Sequence, residues 1–200
     1  DRAALKRGRR RKQTDRRRLP MLFSASPRFV RARACRCLLG QTPGAMDSDS
    51  PHQVKIGSLR LANPFFMAPM AGYTNRAVRV MARRFGAALV HTEMIAAQQF
   101  VRGGPRYRLI GEFGPEERPI AAQMAPAQPE HAAQVARAFD ECGFDLIDIN
   151  MACPVPKIVK RGRGGALLRD PERATAIVES VVANTSRPVT VKMRCGWCPE

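Results

Sequence analysis

The residues best placed to do chemistry sit together in Asp148-Ile149-Asn150-Met151-Ala152-Cys153-Pro154. From Phe144 to Ile149 apolar residues alternate with acids and then give way to this polar cargo, the pattern of a buried strand that carries its functional groups at its C-terminal tip. Pro154 cannot continue a central ladder and holds the preceding Cys153 extended, which aims the thiol off the strand end. In a βα-repeat protein that end is where reactive groups gather. The other reading of Cys153, a small buried hydrophobe, is the usual fate of a free cysteine.

Such a tip needs a scaffold, and the sequence supplies one by repetition. Val54-Lys55-Ile56-Gly57 and Leu59-Arg60-Leu61 flank Gly57-Ser58 as a hairpin. Asn63 to Met70 reads as a nearly continuous apolar strand. Thr74 is placed to cap a helix over Asn75 to Phe85 that stops at Gly86, and Ala88 to Glu93 gives the next strand. A helix from about Ala96, a Gly/Pro-rich loop from Gly103 to Arg118 and a strand over Pro119 to Met124 follow. Helix Gln128 to Cys142, stopped by Gly143, leads into the strand bearing Cys153, and helix Asp170 to Asn184 into the strand Pro188 to Arg194.

Continuous apolar strands alternating with helices mean a parallel sheet buried on both faces, either doubly wound or closed as a barrel. A Gly-rich phosphate fingerprint after the first strand is missing from Met67-Ala68-Pro69-Met70-Ala71-Gly72, which favours the α/β TIM barrel, (β/α)8, truncated after about five strands. The domain reading is therefore residues 46–200 as the N-terminal portion of a barrel, with the chain cut off part-way. Residues 1–45 read as a disordered basic tail.

Net charge splits the same way. The whole chain carries +17, of which residues 1–45 hold +12 (14 Lys/Arg against two acids) and residues 46–200 hold +5 (20 against 15). The tail is open to three readings: a basic RNA-binding arm, a targeting peptide, or upstream sequence translated from a mis-assigned start, the last favoured by the polar lead-in at Met46-Asp47-Ser48. The mildly basic body is compatible with RNA. Six cysteines show no disulfide framework, and no apolar run reaches membrane-spanning length, so a cytoplasmic protein with reduced thiols is expected. Cys195-Gly196-Trp197-Cys198 lacks the second ligand pair that a zinc site needs, and no metal is expected.

Polar groups at C-terminal strand tips face the mouth of a barrel. They are Pro69-Met70-Ala71 after the first strand, Glu93 on the second, Gln123 on the third, Asn150 and Cys153 on the fourth, and Lys192 and Arg194 on the fifth. Gln123 and Lys192 are embedded among apolar residues, where an unpartnered amide or ammonium costs several kcal/mol. An electron-rich heterocycle such as a flavin would compensate both. The alternative for Lys192 is an ion pair with Asp148 or Glu93 across the barrel.

Ala68-Pro69-Met70-Ala71-Gly72-Tyr73-Thr74, Thr92-Glu93-Met94, Gln123, Asn150 to Pro154, Gly162 to Leu168 and Val191-Lys192-Met193-Arg194 resemble, in order and spacing, the successive motifs of the tRNA-dihydrouridine synthase family. The resemblance covers residues 54 to about 197. It implies an FMN-binding barrel in which Pro69, Met70 and Ala71 line the flavin, Gln123 and Lys192 hydrogen-bond its ring, and Cys153 is the catalytic acid. Asn150 and Arg194 would bind the target uracil, and the loop Lys157 to Arg163 would lie near the RNA backbone. The implied reaction reduces uridines of tRNA to 5,6-dihydrouridine, with hydride from the flavin to C6, a proton from the thiol to C5, and NADPH as electron donor. A free thiol, with a pKa of about 8.5, is mostly protonated at neutral pH and can serve as that acid. The base must leave its stack to be reached.

Ala152 stands where the family most often has Gly, a small-for-small change. The later strands and a C-terminal helical domain that helps hold tRNA are not in the sequence, so the 200 residues alone are expected to bind FMN poorly and lack turnover; a monomer is expected. Two rival functions stand beside this one: an FMN barrel of the dihydroorotate or dihydropyrimidine dehydrogenase type, and an inactive fragment that binds RNA through its basic tail.

Overall fold

The computed structural model describes residues 53–103 and 112–197. The tail of residues 1–45, most of the loop from Gly103 and the Cys198 end of the CxxC pattern lie outside the described residues. Strands β1 (Val54–Ile56) and β2 (Leu59–Leu61) pair antiparallel, and the turn between them puts Gly57 at φ +57°, a conformation that costs glycine little.

The main sheet holds β3 (Val90–His91), β4 (Ile95–Ala96), β5 (Ile120–Ala125), β6 (Leu146–Met151) and β7 (Val189–Met193). Every pairing in it is parallel, and the order is β3-β5-β6-β7 with β4 also on β5. Ahead of β3, Phe66 bridges Leu89 in parallel. Strands thus lie side by side in chain order. A doubly wound sheet would have to reverse that order at its switch point, so this is part of a singly wound barrel. The helices α1 (Arg76–Arg84), α2 (Ala97–Val101), α3 (Pro129–Glu141), α4 (Pro156–Val159) and α5 (Pro171–Val182) fill the crossovers.

Two strands expected from the sequence are broken. Asn63 to Met70 contributes only the Phe66 bridge and two flanking hydrogen bonds, Met67 N–H to Leu89 O at 2.9 Å and Ala88 N–H to Phe65 O at 2.8 Å, because Pro64 and Pro69 bring no N–H to a ladder. Ala88 to Glu93 keeps only β3, and β4 follows beyond Glu93, at the point where the helix from about Ala96 is expected. Between them the Thr92 hydroxyl accepts the Gln123 N–H at 3.1 Å, standing in for a strand carbonyl.

Side chains alternate across the sheet and build two cores. On the outer face Ala122, Met124, Ile147, Ile149 and Met151 pack under Val135, Ala136 and Phe139 of α3 and Ile177 and Val181 of α5, all buried. Phe139 meets Phe100 and Phe144 edge-on, with ring centroids 5.6 and 5.5 Å apart, a geometry that adds about 0.5–1.5 kcal/mol per pair beyond burial. On the inner face Ala121, Leu146, Ala88 and Leu89 meet Leu61, with Val54, Ile56 and Leu59 against them. The hairpin is therefore an apolar floor at the N-terminal end of the strands.

Helix ends follow local chemistry. Asn75, not Thr74, caps α1 by accepting the Val78 N–H. Thr74 instead turns its hydroxyl onto Met70 N and O at 3.3 and 3.1 Å, closing the loop between them. Asp170 caps α5 through the Arg173 N–H. A short 3-10 turn, Pro115–Glu117, is tied to α1 by a buried pair in which Arg79 Nε donates to Glu117 Oε2 at 2.6 Å and Arg79 Nη1 to Thr74 O at 2.9 Å.

Candidate active site at the strand C-termini

Above the apolar floor the inner face turns polar in register. Gln123, Asp148 and Thr190 are direct neighbours across β5, β6 and β7, and one step toward the mouth Asn150 pairs with Lys192. The first three form a hydrogen-bonded layer in which Gln123 and Asp148 are buried and Thr190 half-buried. Gln123 Nε2 donates to Asp148 Oδ2 at 2.7 Å and Thr190 Oγ1 to Asp148 Oδ1 at 2.7 Å. Gln123 Oε1 accepts from Asn150 Nδ2 at 2.9 Å. Deeper in the same interior, the His91 Nδ1–H donates to Met67 O at 2.8 Å; burial holds this imidazole below its ordinary pKa, with the Asp148 charge opposing.

Asn150 passes this order to the cysteine loop. Its Oδ1 accepts the N–H groups of Ala152 at 3.1 Å and Cys153 at 3.0 Å. From the other side Cys153 O accepts the Gly165 N–H at 3.0 Å. Gly164 sits at φ +57°, and a Cβ there would come within 2.9 Å of both the Cys153 Cβ and O. The Gly164-Gly165 pair is thus what lets the following loop close on the thiol-bearing residue. The Arg194 Nε donates to Ala152 O at 2.7 Å, which holds the loop from β7.

These elements surround a cavity of about 410 Å³ lined by Pro69, Asn150, Ala152, Cys153, Pro154, Lys192, Met193 and Arg194. Five of the residues selected from the sequence, from the first, fourth and fifth strand ends, meet there. Gln123 lies one hydrogen bond beneath, through Asn150. Met70 and Ala71 are outside the lining, on a loop whose Gly72 N–H is held by Glu93 Oε2 at 2.9 Å.

Three expectations are corrected. Lys192 is exposed rather than embedded, because β7 has a neighbour only on its β6 side among the described strands. Of the two ion-pair partners considered for it, Asp148 is taken by Gln123 and Thr190, and Glu93 accepts the Gly72 N–H. In the cationic loop Lys157, Lys160 and Arg161 reach solvent, whereas Arg163 is 2% exposed and its Nη2 donates to Gln98 Oε1 at 2.6 Å, so Arg163 is an anchor of the loop.

The Asp148 layer itself was not singled out in the sequence. The signal was available in parity: Asp148 and Asn150, like Thr190 and Lys192, are two residues apart and so share a face. Among the described residues no cluster of His, Cys, Asp or Glu is placed to hold a metal ion, and no helix is long and apolar enough to cross a membrane.

Chain-ordered parallel strands with a thiol, an amide pair and two cations at their C-termini are part of a singly wound α/β barrel, the class that gathers its functional groups at that end. The chain belongs to the dihydrouridine synthase family, whose model it matches over residues 66–200. It is 38% identical over 165 residues to a probable tRNA-dihydrouridine synthase 1 of Synechocystis, covering 78% of this chain and 46% of that protein. It is 40% identical over 147 residues to tRNA-dihydrouridine synthase B of Shewanella oneidensis, covering 74% and 46%, and 38% over 144 residues to that of Pseudomonas aeruginosa, covering 72% and 43%. The chain spans less than half the length of these relatives. In architecture it is similar to histamine dehydrogenase from Rhizobium sp. 4-9, with a TM-score of 0.51 at 15% identity over 71% of this chain and 33% of that one, a likeness of fold alone.

Proposed function

We propose that this chain is the part of a flavin-dependent tRNA-dihydrouridine synthase that carries the proton donor and half of the flavin cradle. The observation that carries the reading is the convergence of Pro69, Asn150, Cys153, Lys192 and Arg194 on one cavity, in a chain of the dihydrouridine synthase family.

The donor set fits an FMN ring. A carbonyl- and nitrogen-rich heterocycle needs hydrogen-bond donors at one edge and an apolar face. Gln123 has a second Nε2 hydrogen beyond the one given to Asp148, Lys192 presents an ammonium, and Pro69 and Met193 are apolar wall. The volume lies within the range of cofactor pockets. The flavin, when bound, supplies hydride for C6 of the uracil, and NADPH is the electron donor.

The protein's own residues do the rest. Cys153 is presented by two backbone amides on Asn150 and by the Gly164-Gly165 loop, and its thiol gives a proton to C5. Asn150 retains one Nδ2 hydrogen for a uracil carbonyl, and the Arg194 guanidinium, held to Ala152 O by Nε, keeps its terminal nitrogens for the same base. A uridine extruded from folded RNA enters this mouth, with Lys157, Lys160 and Arg161 beside it for the phosphate backbone. The substrate is tRNA, and the enzyme is a monomer in the cytoplasm.

Fluorescence titration of the full-length apoprotein with FMN tests the cofactor assignment. Lys192→Ala is expected to weaken binding by roughly tenfold or more, as loss of a charge-assisted hydrogen bond does; unchanged affinity would remove Lys192 from the cradle. Turnover on unmodified tRNA but not on free dihydropyrimidines separates the reading from the other FMN barrels.

A further inference from the structure

The polar layer beneath the cavity has a direction. Asp148 is 4% exposed, and an ionised carboxylate only accepts. Gln123 must therefore turn its Nε2 toward it, which leaves Oε1 to face Asn150. Asn150 answers with Nδ2, which leaves its Oδ1 for the Ala152 and Cys153 amides. Each amide has two ends, and a reversed one would set two N–H groups against each other. The Thr190 hydroxyl, donating to the second carboxylate oxygen, holds Asp148 square to this chain of bonds.

We propose that Asp148 is the positioning residue for Cys153, acting through Gln123 and Asn150. It does not touch the cavity. Its charge strengthens the first bond of the relay and fixes the orientation of both amides, so the backbone carrying the thiol is held from a point two side chains away. The importance of that placement for proton delivery rests on the function proposed above; the relay itself does not, and it is measured without flavin or RNA.

Amide hydrogen exchange of the full-length protein tests it. In Asp148→Asn the acceptor loses its charge and either end of the new amide can face Gln123, so exchange at the Ala152 and Cys153 amides is expected to rise roughly fivefold to tenfold while Ile147 and Ile149 in the same strand stay protected. Adding Gln123→Glu moves the carboxylate one place along the relay. The amide introduced at position 148 then donates to the carboxylate introduced at position 123, that carboxylate accepts from Asn150, and protection at Ala152 and Cys153 returns. A residue that only filled space would not be rescued by that exchange of positions. Unchanged exchange in Asp148→Asn, or a rise that Gln123→Glu does not reverse, overturns the proposal. If Asp148→Asn does not fold, Thr190→Val decides: a smaller rise at the same two amides supports the relay, and none contradicts it.

Discussion

At the scale of single residues, the proposed function separates groups that would react from groups that place them. Cys153→Ala is expected to slow uridine reduction by about 10²–10⁴, the usual range for losing a general acid, with the flavin absorbance of the purified protein unchanged; single-turnover kinetics on tRNA measure it. Gly164→Ala acts differently. The left-handed φ and the contacts within 2.9 Å of Cys153 mean a strain of about 1–3 kcal/mol, read as a lower denaturant midpoint together with an altered rate of Cys153 alkylation. The residues that line the cavity were legible in the sequence because they sit at strand tips and one rule of barrels finds them. The roles of Asp148, Thr190 and Gly164 were not, since which end of an amide faces which neighbour depends on register between strands.

At the scale of elements, two clamps hold the crossovers that present the site. Asp140, in the last turn of α3, accepts from the Ser186 N–H at 2.7 Å, from the Ser186 and Thr185 hydroxyls, and from Arg187 Nε at 2.9 Å. The Ser186 backbone and the Arg187 guanidinium hold its carboxyl well below the usual carboxylate range, at about 2. A depressed pKa in the folded state contributes stability above the unfolded pKa and loses it as pH falls through the folded one. The stability difference between wild type and Asp140→Asn is thus expected to be constant above about pH 4 and to vanish between about pH 4 and 2, as urea melts across that range would report. The Arg79–Glu117 pair is the second clamp, both members buried. Arg79→Met removes the 2.6 Å partner of the buried Glu117 carboxylate, which keeps Arg76 Nε at 3.4 Å and the Gly114 N–H at 2.8 Å, and is expected to cost about 1.5–3 kcal/mol, the range for a lost hydrogen bond to a charged group, checked by thermal unfolding. Helix and strand positions were read well where periodicity was long, in α3, α5, β5 and β6. They were misread where proline thinned a strand at Pro64 and Pro69, where Asn75 outcompeted Thr74 as cap, and at α4, a single turn begun by Pro156 inside a proline-rich stretch.

At the scale of the whole molecule, chain-ordered parallel strands carry an apolar floor from the β1–β2 hairpin at one end and the polar candidate site at the other, their C-termini. The sequence carried that architecture through its alternation of apolar strands and helices and through the missing phosphate fingerprint. It could not show that the hairpin plugs the interior, because Leu59 and Leu61 look the same whether they pack beneath a barrel or on its flank. The chain spans less than half the length of its relatives, and its activity is proposed for the protein as a whole. Nucleoside mass spectrometry of unmodified tRNA, incubated with the full-length protein, FMN and NADPH, reads the proposed reduction itself. Uridine is expected to gain two hydrogens as 5,6-dihydrouridine with wild type and not with Cys153→Ala; no dihydrouridine from flavin-loaded wild-type protein would rule the proposed function out.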